Sequence, residues 1–119
     1  MKRSHFYIVW ALLAGVLVSC GSLKSDVREY LKLYVEYTRL AEEACRDQLI
    51  TAEEAENLNK IKHETTELQK EIEEKTRDNE ALTNEWKDLY REMNGELITE
   101  KYIDACFRLY DCEGAGQIE

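Results

Sequence analysis

The sequence predicts an all-α protein: an antiparallel helical hairpin with a long, coiled-coil-like central helix and a short third helix at the C-terminal end. Three observations lead there. The 119 residues contain no proline and only five glycines, and they are rich in Glu, Lys, Leu and Ala, a composition of long helices. A mostly apolar ladder recurs at 3-4 spacing through Leu58, Ile61, Thr65, Leu68, Ile72, Lys75, Asn79, Leu82, Trp86, Leu89 and Met93, the seam of an amphipathic helix. Thr51-Ala52-Glu53-Glu54 is a capping-box sequence flanked by Ile50 and Ala55 as a hydrophobic staple, so a helix starts at Ala52.

The first predicted helix covers about Asp26 to Gln48, with Ser25 as its N-cap. Val27, Tyr30, Tyr34, Tyr37, Ala41 and Ala44 lie on one face, widened by Leu31, Thr38 and Cys45. Three tyrosines on one face are a helix-packing surface first and a ligand platform second. The connection to the next helix is so short that the two must be antiparallel neighbours.

The second helix runs from Ala52 to about Met93, closed by Asn94-Gly95. Lys75 and Asn79 are polar positions in the middle of its seam. A first helix of 23 residues covers only about 35 Å at 1.5 Å per residue and would end opposite Lys75. Three arrangements answer this. The helix continues unbroken beyond its partner, it breaks near residues 76–79 and folds back into a bundle, or the polar pair sets the register of self-association. The third helix is predicted from Glu100 to about Tyr110 with Thr99 as N-cap. It would fold back on the Leu82–Met93 half, with Trp86, Tyr90, Tyr102, Phe107 and Tyr110 as an aromatic cluster.

The N-terminus has a different character. Met1 to His5 is short and basic, and Phe6 to Val18 is an apolar run of 13 residues. That is a charged start and apolar core of secretory-signal type, too short for a bilayer span of about 20 residues. It ends in Leu17-Val18-Ser19-Cys20. This stretch resembles the lipobox of bacterial lipoproteins. The resemblance implies a signal peptide over residues 1–19, cleavage before Cys20, and a thioether-linked diacylglycerol on the Cys20 sulfur, often with an acylated Cys20 amine as well; no other cofactor is expected. Several acyl chains are needed for a firm hold, because burial gives about 0.8 kcal/mol per CH2 and one chain binds only marginally. The implied organisation is a signal at 1–19, a lipidated Cys and polar leash at 20–25, and a helical domain at 26–119. Gly21 in place of Asp points to the outer membrane of a bacterial envelope. The side of that membrane is not readable.

Losing Lys2 and Arg3 and no acid takes the net charge from −9 to −11. Such a body is a poor ligand for nucleic acid, whose affinity comes from cations on phosphates, and for anionic lipid surfaces. The partners expected are the membrane, through the lipid, and a protein or second copy, through the helix seam.

Three further cysteines remain. In an elongated hairpin Cys45 sits near the first turn and Cys106 near the opposite end, beyond disulfide reach. Cys106–Cys112 is then the expected internal pair, with Cys45 as an unpaired or intermolecular thiol. Asp111 to Glu119 resembles the first nine positions of an EF-hand calcium loop, with Asp111, Glu113 and Gln117 as candidate ligands and Gly116 as the turn glycine. Ala115 stands where an oxygen ligand belongs, and the acidic twelfth position is missing. No metal is expected on this basis. His63 lies on the outer face of the second helix, and no Ser/His/Asp grouping or phosphate-binding loop stands out. The leading reading is therefore a non-enzymatic, lipid-anchored interaction or assembly-accessory protein, of the pilotin kind. The alternative is a calcium- or ligand-responsive module using the C-terminal loop.

Overall fold

The computed structural model describes the backbone of residues 2–119 and the side chains of residues 23–119. The chain is all-helical: α1 (Lys2–Ala44), α2 (Ala52–Thr76), α3 (Glu80–Glu92) and α4 (Gly95–Tyr110), followed by one 3-10 turn (Ala115–Gln117). Among the described residues no strand forms; Leu49 and Glu113 make an isolated parallel bridge.

α1 is the central element and packs against each of the other three helices. Its apolar stripe faces inward as the spacing requires: Val27, Leu31, Tyr37, Ala41 and Ala44 are all buried. α2 returns antiparallel to it, so Asp26 near one end meets Lys75 in an ion pair, while Ala44 packs with Ala55 and Leu58 at the other end. The expected capping box forms. The Glu54 amide donates to Thr51 Oγ1 at 3.1 Å and the Thr51 amide donates to Glu54 Oε1 at 2.9 Å. Ile50 and Ala55 are both buried beside it.

The helix expected over 52–93 is broken. α2 stops at Thr76, Asp78 takes a left-handed φ of 57°, and Asn79 becomes the N-cap of α3, its Oδ1 accepting from the Leu82 amide at 3.1 Å. Thr83 Oγ1 ties the corner by donating to the Thr76 and Asn79 carbonyls at 3.1 and 2.9 Å. A continuous helix over those 42 residues would be about 63 Å long, whereas the described body measures 48 × 33 × 20 Å. The break lets Leu82, Trp86 and Leu89 fold onto Leu23, Val27, Tyr30, Leu31 and Ile72. That burial is what an unbroken helix would forgo. Both polar seam residues are thereby accounted for, Lys75 by Asp26 and Asn79 by its cap.

Two other boundaries differ from expectation. The leash over 21–25 is helical and Ser25 is no N-cap, because α1 runs straight through it. Leu23, four residues before Val27, extends the apolar stripe by one turn and is 2% exposed. α4 starts at Gly95 rather than Glu100. The turn into it is made by Asn94 in a left-handed conformation, and Gly95 lies so close to Tyr90 that a Cβ there would fall 2.6 Å from the ring. Thr99 caps nothing; its hydroxyl hydrogen-bonds to the Tyr90 hydroxyl.

The core has two parts along α1. One gathers Tyr37, Ala41, Ala44, Ile50, Ala55, Leu58, Ala105, Leu109 and Cys112; the other is the Leu23–Ile72 cluster under α3. Fully burying a Leu, Ile or Val contributes about 1.5–3 kcal/mol, and Leu23, Val27, Ile50, Leu58 and Leu109 are all in that state.

Candidate functional site

Cys20 and the signal-like segment 1–19 lie outside the residues whose side chains are described. Leu23 is locked into the core, with two residues between it and Cys20. Among the described residues, no helix is long and apolar enough to cross a membrane.

The tyrosine face is packing. Tyr34 and Tyr102 stack with centroids 4.0 Å apart and planes 2° from parallel, and Tyr37 meets Tyr102 edge-on at 5.2 Å. The Tyr30 and Tyr34 hydroxyls share a 2.7 Å hydrogen bond. Burial raises the pKa of Tyr30, Tyr34 and Tyr102 and pushes that of Tyr37 up to about 12, so all four are neutral donors at ordinary pH. The aromatic cluster expected around α3 and α4 forms differently. Trp86 stacks on Tyr90 at 5.1 Å and Tyr102 turns to α1, while Phe107 and Tyr110 point outward. The cause is that α4 docks mainly along α1.

The structure brings together a different pair of cysteines from the one expected, all three being free thiols. Cys112 Sγ lies 2.9 Å from Cys45 Sγ, whereas Cys106 is hydrogen-bonded to the Tyr102 side chain. The corner at 77–79 turns an elongated hairpin into a bundle. The C-terminal segment therefore returns to the α1–α2 turn, where Cys45 is.

The segment that resembles a calcium loop is docked onto the α1–α2 turn and onto α2. The Ile50 amide donates to the Glu113 carbonyl at 2.7 Å, and the Glu113 amide to the Gln48 carbonyl at 3.0 Å. Gln117 Nε2 donates to the Ile50 and Gly114 carbonyls at 3.1 Å each. Asn59 clamps the end of the chain, donating to the Gln117 carbonyl at 3.0 Å and accepting from the Glu119 amide at 2.9 Å. Asp111 caps α4. The loop is thus a docked tail, and among the described residues no group of three or more His, Cys, Asp or Glu is placed to hold a metal ion. His63 is exposed on α2.

Two surfaces stand out instead. A cavity of about 290 Å³ between α1, α2 and α3 is lined by Tyr30, Ile72, Thr76, Thr83 and Trp86, and the Trp86 Nε1 proton is buried without a hydrogen-bond partner. On the outer face of α4, Ile103, Phe107 and Tyr110 are 46%, 65% and 72% exposed, with Glu100, Lys101 and Asp104 beside them. Their i, i+4, i+7 spacing was legible. The sequence places Phe107 and Tyr110 in the inner aromatic cluster, since periodicity identifies a stripe and not which side of it meets the protein. No protein family, characterised protein or solved structure matches this chain.

Proposed function

We propose that the chain is a lipid-anchored, non-enzymatic interaction protein of a bacterial envelope, held to the outer membrane through Cys20 and offering α4 to a protein partner. The observation that carries the proposal is the outer face of α4. Three large apolar side chains in one row face water there, whereas the other exposed large apolar residues, Val35, Leu49 and Leu97, are scattered over the chain. Exposed apolar rows rimmed by polar residues mark interaction surfaces. The tyrosine face and much of the seam, the other candidate contact surfaces, pack against one another within the bundle.

The acidic body selects the partner. A body of charge −11 after loss of the signal favours a protein whose apolar patch is ringed by Lys and Arg, because complementary potentials speed encounter and reject acidic surfaces. Nucleic acid is disfavoured by the same charge. A photo-crosslinking amino acid at Phe107 in intact envelopes is expected to capture one such protein, and the same probe on the opposite surface at Glu67 is not. Equal capture from both positions, or none from Phe107, would contradict the reading.

A further inference from the structure

We infer that Cys45 and Cys112 are joined by a disulfide that fastens the C-terminal tail across the α1–α2 turn, leaving Cys106 as a thiol. The two sulfurs are 2.9 Å apart, within about 1 Å of the ~2.05 Å covalent S–S length. Both neighbouring segments are already fixed by the backbone. The parallel bridge of Leu49 with Glu113 and the Ile50–Glu113 and Glu113–Gln48 hydrogen bonds hold residue 113 against residues 48–50, immediately beside the two cysteines. The sulfurs need only a small side-chain adjustment, whereas Cys106 faces Tyr102.

The pair is also reachable. A cleft lined by Gln48, Arg108 and Asp111 opens onto both cysteines. Cys45 is half-buried and Cys112 buried, so an incoming reagent meets Cys45 first. The oxidant is a small-molecule or protein disulfide. The Cys45 thiolate attacks one of its sulfurs, forming a mixed disulfide and releasing one thiolate. Cys112 then loses its proton and attacks the Cys45 sulfur, releasing the second. Two electrons pass to the oxidant and the two cysteine protons end on its two thiols. Exported compartments sustain such bonds, and the bond itself does not depend on the function proposed above.

The test is a peptide map of the full chain, reduced, exposed to oxidised glutathione, and blocked with an alkylating reagent. Trypsin separates Cys45, Cys106 and Cys112 from one another and from Cys20, cutting after Lys24, Arg39, Arg46, Lys101 and Arg108. The expected result is a linked pair joining the Cys45 and Cys112 peptides, with Cys106 alkylated and the chain monomeric on a non-reducing gel. Cys106→Ser should leave that link intact, and Cys45→Ser should abolish it. A Cys106–Cys112 link, a Cys45-linked dimer, glutathione retained on Cys45, or three alkylated cysteines would each overturn the inference.

Discussion

Replacing Gly114 by alanine tests how firmly the tail holds the bundle. Gly114 sits at φ 90° and ψ 1°, where a residue with a Cβ is disfavoured by about 1–2 kcal/mol. The added carbon would also run into the Ile50 carbonyl oxygen. That oxygen accepts from Gln117 Nε2, and the Ile50 amide beside it donates to Glu113. Displacing the contact puts both bonds at risk, each worth about 0.5–1.5 kcal/mol net. The total is about 2–5 kcal/mol, and it cannot exceed what tail docking contributes, since detachment relieves the strain. Urea unfolding followed by helical circular dichroism measures it. Gly116→Ala is the control: nothing lies within 4 Å of a Cβ at that position, so its change should stay within about 0.5 kcal/mol. If the two variants unfold together, the reasoning about the tail is refuted.

Leu58, fully buried between α1 and α2, should lose about 2–5 kcal/mol on substitution by alanine, whereas Ile103→Ala on the exposed face should change stability by less than about 0.5 kcal/mol; equal losses in urea melts would contradict the assigned faces. Asn79→Ala removes the α3 cap and should cost about 0.5–2 kcal/mol, with Asn79→Asp retaining most of it. In reduced protein, burial pushes the Cys45 thiol up to about 12 from an ordinary value of 9.0, and Tyr37 up to about 12 from 10.0. The unfolded chain then binds fewer protons than the folded one between pH 9 and 12, so stability is flat below pH 9 and falls as pH rises through that window. A disulfide at Cys45 would remove the thiol's share of the fall, and a melting temperature constant from pH 9 to 11 would contradict both assignments.

Local chemistry was readable and long-range pairing was not. Thr51 and Glu54 cap α2 using atoms three residues apart, and the 3-4 stripe of α1 names its buried side chains, so both follow from sequence. The corner at 77–79 was one of three readings left open, because a left-handed Asp78 is only mildly disfavoured and is selected by what folding back buries. Leu23 shows the opposite error. Its neighbours Gly21, Ser22, Lys24 and Ser25 look like a linker, but its spacing from Val27 is helical, and one buried Leu outweighs four weak helix formers. Thr99 has the right neighbours for a cap and is drawn instead to Tyr90 by a turn whose geometry Asn94 and Gly95 set. The meeting of Cys45 with Cys112 depends on the corner and on α4 docking along α1, and no spacing between residues 67 apart encodes it.

The account rests most heavily on the anchor at Cys20. Mass spectrometry of the protein extracted from cell membranes tests it directly. The expected species begins at Cys20 and carries acyl chains on that residue, and Cys20→Ala should accumulate as a precursor. A chain that retains residues 1–19 and carries no acyl group would contradict the envelope assignment.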